Sequence, residues 1–298
     1  MPNFSMRGSE PFAPPLPEMA RSEGYVLLAT EHRKYYEMAC NLARSIRFQD
    51  PSRPIALICD ESLVTDDRIA RFDRIVLLPR RDRFVGVLNK LRLFEVSPFE
   101  RSLFVDGDCL MMRSSVSPYW QSFTGGCNTL GQKLTEGQWK GLDIRTITRE
   151  IGTDYLVKMN AGVIFFDRSP LSEHMFEYMI DLFGHKAAKV STIHQNRPGQ
   201  YSMEPILGAA MARFGVEPMS LQPRAGSLMV STLDARHIRA SLQRGVVYLE
   251  KPHWRTRLRI NVPGAALWTA HAPIFLHFIG LKPRPLYESL VTELAATE

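Results

Sequence analysis

Two short apolar runs joined by one amphipathic helix restrict the folds open to this chain more than any other feature. Residues 25–29 and 54–59 are apolar almost throughout and too short for buried helices, so they read as buried strands. Between them Tyr36, Ala39, Cys40, Ala43 and Ile46 recur at threes and fours, which predicts a helix ending near Arg47. Strand, helix and strand with short connections demand a parallel pair and a right-handed crossover. Residues 74–78 predict a third strand, 88–96 a second helix and 102–106 a fourth strand. The fold class is therefore α/β: a Rossmann-like, mostly parallel central sheet flanked by helices. Further along, 159–167, 246–249 and 273–277 read as strands and 171–183 and 204–214 as helices, without internal repeats.

A chain of 298 residues with 45% hydrophobic content can bury one large core. Residues 1–22, with Pro11, Pro14, Pro15 and Pro17 among polar neighbours, read as a flexible leader. Residues 23–285 read as a single domain and 286–298 as a C-terminal tail with helical character. The polar, Gly-rich stretch 124–153 reads as loops holding at best a short helix, suited, like 191–202, to surround an acceptor.

The chemistry concentrates in Arg101-Ser102-Leu103-Phe104-Val105-Asp106-Gly107-Asp108-Cys109-Leu110. Residues two apart on an extended chain face the same way, so Asp106 and Asp108 converge, and Gly107 lets a ligand approach closely. Two carboxylates about 5 Å apart repel by roughly 3 kcal/mol at an effective dielectric near 20. A proton, a Lys or Arg partner, or a divalent cation must offset that. The bland alternative is a solvated turn after a strand. The triplet stands at the carboxyl end of a strand in an open α/β sheet, where ligands bind.

The formal charge of +6 is mild and its Lys and Arg are scattered, which suits an anionic small-molecule substrate as well as it suits nucleic acid; with no basic run to favour the latter, no nucleic-acid partner is expected. Basic and aromatic residues cluster only at 251–259, a solvated face or else a surface for an acidic acceptor or for peripheral membrane contact. Cys40, Cys59, Cys109 and Cys127 lack C-x-x-C spacing, and three lie in apolar stretches, so reduced thiols are expected. With no run of 18 apolar residues and no signal-peptide layout, the expected location is cytoplasmic. Trp120, Trp139 and Trp254 could serve as sugar platforms, though packing is the commoner use of each.

The final expected strand ends in His277-Phe278-Ile279-Gly280-Leu281-Lys282-Pro283. Together with Asp106-Gly107-Asp108, this resembles the nucleotide-sugar glycosyltransferases of the GT-A fold. It is most similar to family 8, the group of glycogenin and the bacterial lipopolysaccharide galactosyltransferases. Further similar pieces occur in order: Val26-Leu27-Leu28-Ala29-Thr30, Tyr35, Asn89-Lys90-Leu91, Met159-Asn160-Ala161-Gly162-Val163 and Glu204-Pro205-Ile206-Leu207. The resemblance implies sugar transfer from a nucleotide diphosphate donor, above all a UDP-hexose, to a hydroxyl acceptor with retention. It implies a metal on Asp106, Asp108 and His277. Ala29, Thr30, Tyr35, Lys90, Gly107, Gly162, Gly280 and Lys282 would then bind the donor, and Glu204 and Asn160 would serve the transferred sugar or the acceptor. Two carboxylates and an imidazole suit Mn2+ better than Mg2+, the second choice, which prefers oxygen ligands and keeps its waters.

Two positions depart from the pattern. One residue rather than two separates Gly280 from Lys282, which puts the lysine's phosphate contact in question, and Met203 stands where an aspartate is frequent. Glu204 has a plainer reading as a first-turn acid of a helix. Rival classes are a haloacid-dehalogenase-like phosphatase, whose motif normally occupies the first strand, and a non-catalytic nucleotide-sugar binder. The acceptor, the sugar and the oligomeric state are not encoded in any motif.

Overall fold

The computed structural model describes residues 23–64, 66–81, 84–184, 202–221, 226–234, 237–251 and 267–296. The 1–22 leader, most of the 191–202 and 251–259 stretches and Trp254 therefore lie outside the described residues. Strands β1 (Glu23–Ala29), β2 (Ile55–Cys59), β3 (Arg74–Leu77) and β4 (Arg101–Val105) are parallel, and helix α1 (Arg33–Gln49) makes the first crossover. The chain continues through β5 (Cys109–Met111), α3 (Ser117–Ser122), β6 (Cys127–Asn128), β7 (Gly131–Leu134), β8 (Gln138–Trp139), β9 (Leu142–Asp143) and α4 (Ile144–Ile151), α2 (Leu93–Val96) having preceded β4. Then come β10 (Leu156–Met159), β11 (Val163–Asp167), α5 (Pro170–Gly184), α6 (Met203–Arg213), β12 (Met229–Ser231), β13 (His237–Ser241), β14 (Val246–Lys251), β15 (Leu267–His271), β16 (Phe275–His277) and α7 (Arg284–Ala295).

The main sheet has the order β3-β2-β1-β4-β11-β6, with β11 antiparallel to both its neighbours. Alternation along β1 explains why its Tyr25–Ala29 segment is apolar throughout. Tyr25, Leu27 and Ala29 pack with Leu42 and Ile46 of α1, while Val26 joins Phe104, Ile164, Phe176 and Ile206 in the core on the other face. After β3 the chain crosses back over β1 to place β4 on its other side, so the carboxyl ends of β1 and β4 border the crevice where the strand order reverses. A second sheet, β12-β16-β5, has Cys109 directly opposite His277. Its core joins Leu110, Leu276 and Phe278 to Tyr287, Leu290 and Leu294 of α7 and to Leu249 of the β13-β14-β15 sheet.

Several expected elements differ. Residues 88–96 do not form one α-helix: Gly86–Arg92 is a 3-10 helix running into the single turn α2. Leu88, Asn89, Lys90, Leu91 and Arg92 are all buried, so the surroundings rather than helix propensity set the winding. The expected strand 159–167 is two, β10 and β11, broken by a turn at Asn160-Ala161-Gly162 and paired in different sheets. The stretch 124–153 holds four short strands and α4, whose Asp143 side chain accepts from the Thr146 N–H at 2.8 Å and whose following Gly152 adopts φ 68°. The tail boundary at 286 falls inside α7, which contributes three residues to the core. All four cysteines are free and buried. Trp120 and Trp139 are buried too; Arg53 and Arg101 stack on Trp120 at 4.9 and 5.6 Å, which makes it a packing residue. Among the described residues no helix is long and apolar enough to cross a membrane.

Candidate functional site

Asp106, Gly107, Asp108 and Cys109 form a closed turn between β4 and β5, with the Cys109 N–H donating to the Asp106 carbonyl at 3.0 Å. The two acids therefore converge through a turn and not along one extended strand. A Cβ on Gly107 would meet α1 at 3.5 Å and beyond, which is ordinary contact, and Gly107 borders the cleft beside Tyr35 and Met38 of that helix. Residues 169 positions further on complete the cluster. His277 Nε2 at the end of β16 lies 3.0 Å from Asp108 Oδ1 and 4.0 Å from Asp106 Oδ2.

Each carboxylate has a counter-charge. Lys90 Nζ lies 2.6 and 2.8 Å from the two oxygens of Asp106 and donates to the Ala161 carbonyl at 3.3 Å. The lysine expected to reach the donor thus first neutralises the acid pair. Asp108 accepts from the Gly280 N–H at 3.1 Å, a contact made possible by the left-handed Gly280, φ 64°. Burial alone would push the His277 imidazolium down, but the hydrogen bond and charge of Asp108 and the charge of Asp106 outweigh it and hold its pKa above the usual value. Asp108, Cys109 and His277 each offer a ligand atom within 4.8 Å of the others, a group able to hold a metal ion. Cys109 is fully buried, and that burial, with the adjacent acids, keeps its thiol protonated.

Asn160 and Gly162 stand behind the imidazole. The Asn160 Oδ1 accepts from the Gly162 N–H at 2.9 Å, and the Gly162 carbonyl accepts from the Asp106 N–H at 2.8 Å. A Cβ at Gly162 would lie 2.8 Å from both His277 Cε1 and Nδ1, so glycine is required for the ring to stand where it does.

The cluster opens into a two-lobed cleft. One lobe, about 250 Å³, is lined by Thr30, Tyr35, Met38, Val87 and Phe104; the other, about 630 Å³, by Lys140, Asn160, Glu204, Leu233 and His277. Tyr35, Lys90, Asp106 and Asp108 border both, and these volumes lie in or near the range of small-molecule sites. Ala29 is buried in the core, and its carbonyl accepts from the Asp60 N–H at 3.4 Å. Lys282 is exposed and lines neither lobe; its carbonyl accepts from Thr232 Oγ1 at 2.5 Å. The shortened spacing after Gly280 thus coincides with a lysine outside the cleft. Lys140 is a cleft residue that motif reading missed. Its only signal was its place beside Gly141 in a turn between short strands.

A reversing, mostly parallel sheet with one antiparallel strand, and an acidic turn at the switch point, define the GT-A type of α/β fold. Among solved structures the chain is similar to the galactosyltransferase LgtC in complex with donor and acceptor sugar analogs, at 17% identity and a TM-score of 0.52 over 92% of this chain and 95% of that one. It is similar to an active-site mutant of LgtC at 18% identity and a TM-score of 0.53, with the same coverage of both chains. No family model matches the sequence, and no curated protein does.

Proposed function

We propose that this protein is a glycosyltransferase that moves a sugar from a nucleotide diphosphate donor, a UDP-hexose, to a hydroxyl acceptor with retention of configuration. The observation that carries the reading is the meeting of His277 with Asp108 and Asp106 at the switch point of a GT-A sheet, beside a cleft of nucleotide-sugar size. The donor set fits a divalent cation: carboxylate and imidazole donors face one another, and the missing Cβ of Gly162 leaves the imidazole its room. Asp106, Asp108 and His277 would hold it, and the mixed set favours Mn2+ over Mg2+. Once bound, the ion supplies positive charge to the diphosphate leaving group.

The chain's own groups do the rest. Thr30, Tyr35 and Phe104 form the lobe for the nucleotide, and Tyr35, 36% exposed, presents a ring on which a base can stack. Lys90 is ion-paired with Asp106 and adds a cation beside the phosphates. Asn160 and Glu204 line the larger lobe, where hydroxyls of the transferred sugar and the acceptor can be read by hydrogen bonds. The fold likeness to LgtC, whose structure holds donor and acceptor sugar analogs, supports this reading over the phosphatase.

Calorimetric titration of UDP with and without Mn2+, followed by hydrolysis assays on UDP-glucose, UDP-galactose and UDP-N-acetylglucosamine, tests it. Manganese-dependent UDP binding that disappears in Asp108→Ala, and turnover of one donor, are expected. Equal UDP affinity with and without the ion overturns the metal site. Metal-dependent binding without turnover of any donor leaves a nucleotide-sugar binder.

A further inference from the structure

We propose that Lys140 is a positioning residue for this transfer: it fixes the Glu204 carboxylate in the lobe it shares with Asp106, Asp108 and His277. The inference rests on the glycosyl-transfer reading and adds to it a residue that no motif contains. Three features of the chain point to it.

The first is the backbone of the turn joining β8 to β9. Its two residues, Lys140 and Gly141, have φ of 51° and 78°, the tight hairpin turn in which both central residues are left-handed. Gly141 meets that demand freely. Lys140 carries a Cβ and meets it at a cost, where Asn, Asp or Gly would be the usual choice. A strained lysine at a cleft wall is retained for what its side chain reaches.

What it reaches is Glu204. The Lys140 ammonium is ion-paired with Glu204 Oε2 and donates to Ser202 Oγ at 3.1 Å, while Ser202 Oγ donates to Glu204 Oε2 at 3.4 Å. Both ion-pair partners are largely withdrawn from water, with side chains 27% and 15% exposed, so the pair is poor as a source of stability. It is good at holding one carboxylate in one place.

The third feature is a cap forgone. Ser202 stands at the N-cap of α6 with extended backbone, the position and residue type that ordinarily satisfy a free helix N–H, yet its side chain makes no capping bond. Its hydroxyl is spent on Lys140 and Glu204. Glu204, in the first helical turn, likewise turns to Lys140. A serine and a glutamate with ready structural uses at a helix start are both committed to one cluster in the cleft.

Burial and the charge of Lys90 lower the Lys140 pKa, so the clamp should fail on the alkaline side before an ordinary lysine would titrate. The other charged and titratable groups lining this lobe are Glu31, Tyr35 and Lys90, Asp106 and Asp108 on the β4–β5 turn, and His277 at the end of β16.

The test measures manganese-dependent donor hydrolysis by the full chain across pH, in wild type, Lys140→Met, Lys140→Arg, Glu204→Gln and Lys140→Met/Glu204→Gln, with UDP–Mn2+ binding by calorimetry as a second readout. Lys140→Met is expected to lower kcat by about 10- to 100-fold, the usual loss when a reacting group shifts by about an ångström, with UDP binding and KM near wild type. Lys140→Arg should recover most of the rate and extend the alkaline limb, because a guanidinium stays charged. The double variant should be no slower than Glu204→Gln, since both substitutions disable one device. An active wild type whose kcat and alkaline limb are unchanged by Lys140→Met, or losses that multiply in the double variant, overturn the proposal alone. A wild type inert toward every donor overturns the transfer reading and this proposal with it.

Discussion

Substituting Gly162 by alanine tests the site at its tightest point. The added Cβ would lie 2.8 Å from His277 Cε1 and Nδ1 and 3.0 Å from Asn160 Oδ1, against the 3.5 Å or so at which carbon contacts become favourable. The imidazole must yield by about 0.7 Å, and it has little freedom to do so. His277 is 5% exposed and its Nε2 is tied to Asp108 at 3.0 Å. Overpacking of this kind costs about 1–3 kcal/mol, which lowers Tm by about 2–10 °C in a domain of this size. The strain falls on the side chain that would hold the ion, so Mn2+ affinity should drop by about 10- to 100-fold. The control is Gly107→Ala in the same cluster, where the new Cβ would have its nearest neighbour at 3.5 Å; there Tm and Mn2+ affinity should stay close to wild type. Differential scanning calorimetry and metal titration on the three proteins decide the matter. Wild-type Mn2+ affinity in Gly162→Ala, or a larger loss in Gly107→Ala, would refute the packing argument.

Gly208→Ala should do more damage to the fold, because its Cβ would sit 2.2 Å from the Val157 carbonyl of β10 and push α6 off the strand; a loss of about 3 kcal/mol or more is expected by chemical denaturation. Asp143→Ala removes the cap of α4 and is expected to lower the unfolding midpoint by the same measurement, with no change in UDP binding. Burial, Asp60 and Cys40 push the Cys59 thiol from 9.0 up to about 11, so the native state keeps its proton where the unfolded chain has lost it. That contribution is fully present below about pH 9 and is lost as pH rises toward 11, so Tm should fall over this window, and fall less in Cys59→Ala.

What could be read from the sequence follows the range of the forces involved. The β1-α1-β2 unit was legible because burial on both faces of a central strand and a 3.6-residue stripe are written locally, in Tyr25–Ala29 and in Tyr36, Ala39, Ala43 and Ile46. The winding of Gly86–Arg92 was not, because its five consecutive buried residues answer to neighbours from elsewhere in the chain. The break at Asn160-Ala161-Gly162 was hidden for a related reason: Met159 and Val163 are both buried strand residues, and nothing in an apolar run records that its halves belong to different sheets. In the acid pair, electrostatics required a counter-charge without saying which. The fold supplies two, Lys90 for Asp106 and His277 for Asp108.

Lys140 marks the limit most sharply. A lysine beside a glycine in a polar stretch reads as solvent-facing, and only the left-handed turn and the start of α6, more than sixty positions away, turn it into a cleft residue. Where local rules are broken without gain in stability, at a strained lysine, an unused cap and a glycine pressed against a histidine, the three violations gather around one cleft. Such convergence is what a working site, more than a packing accident, would produce.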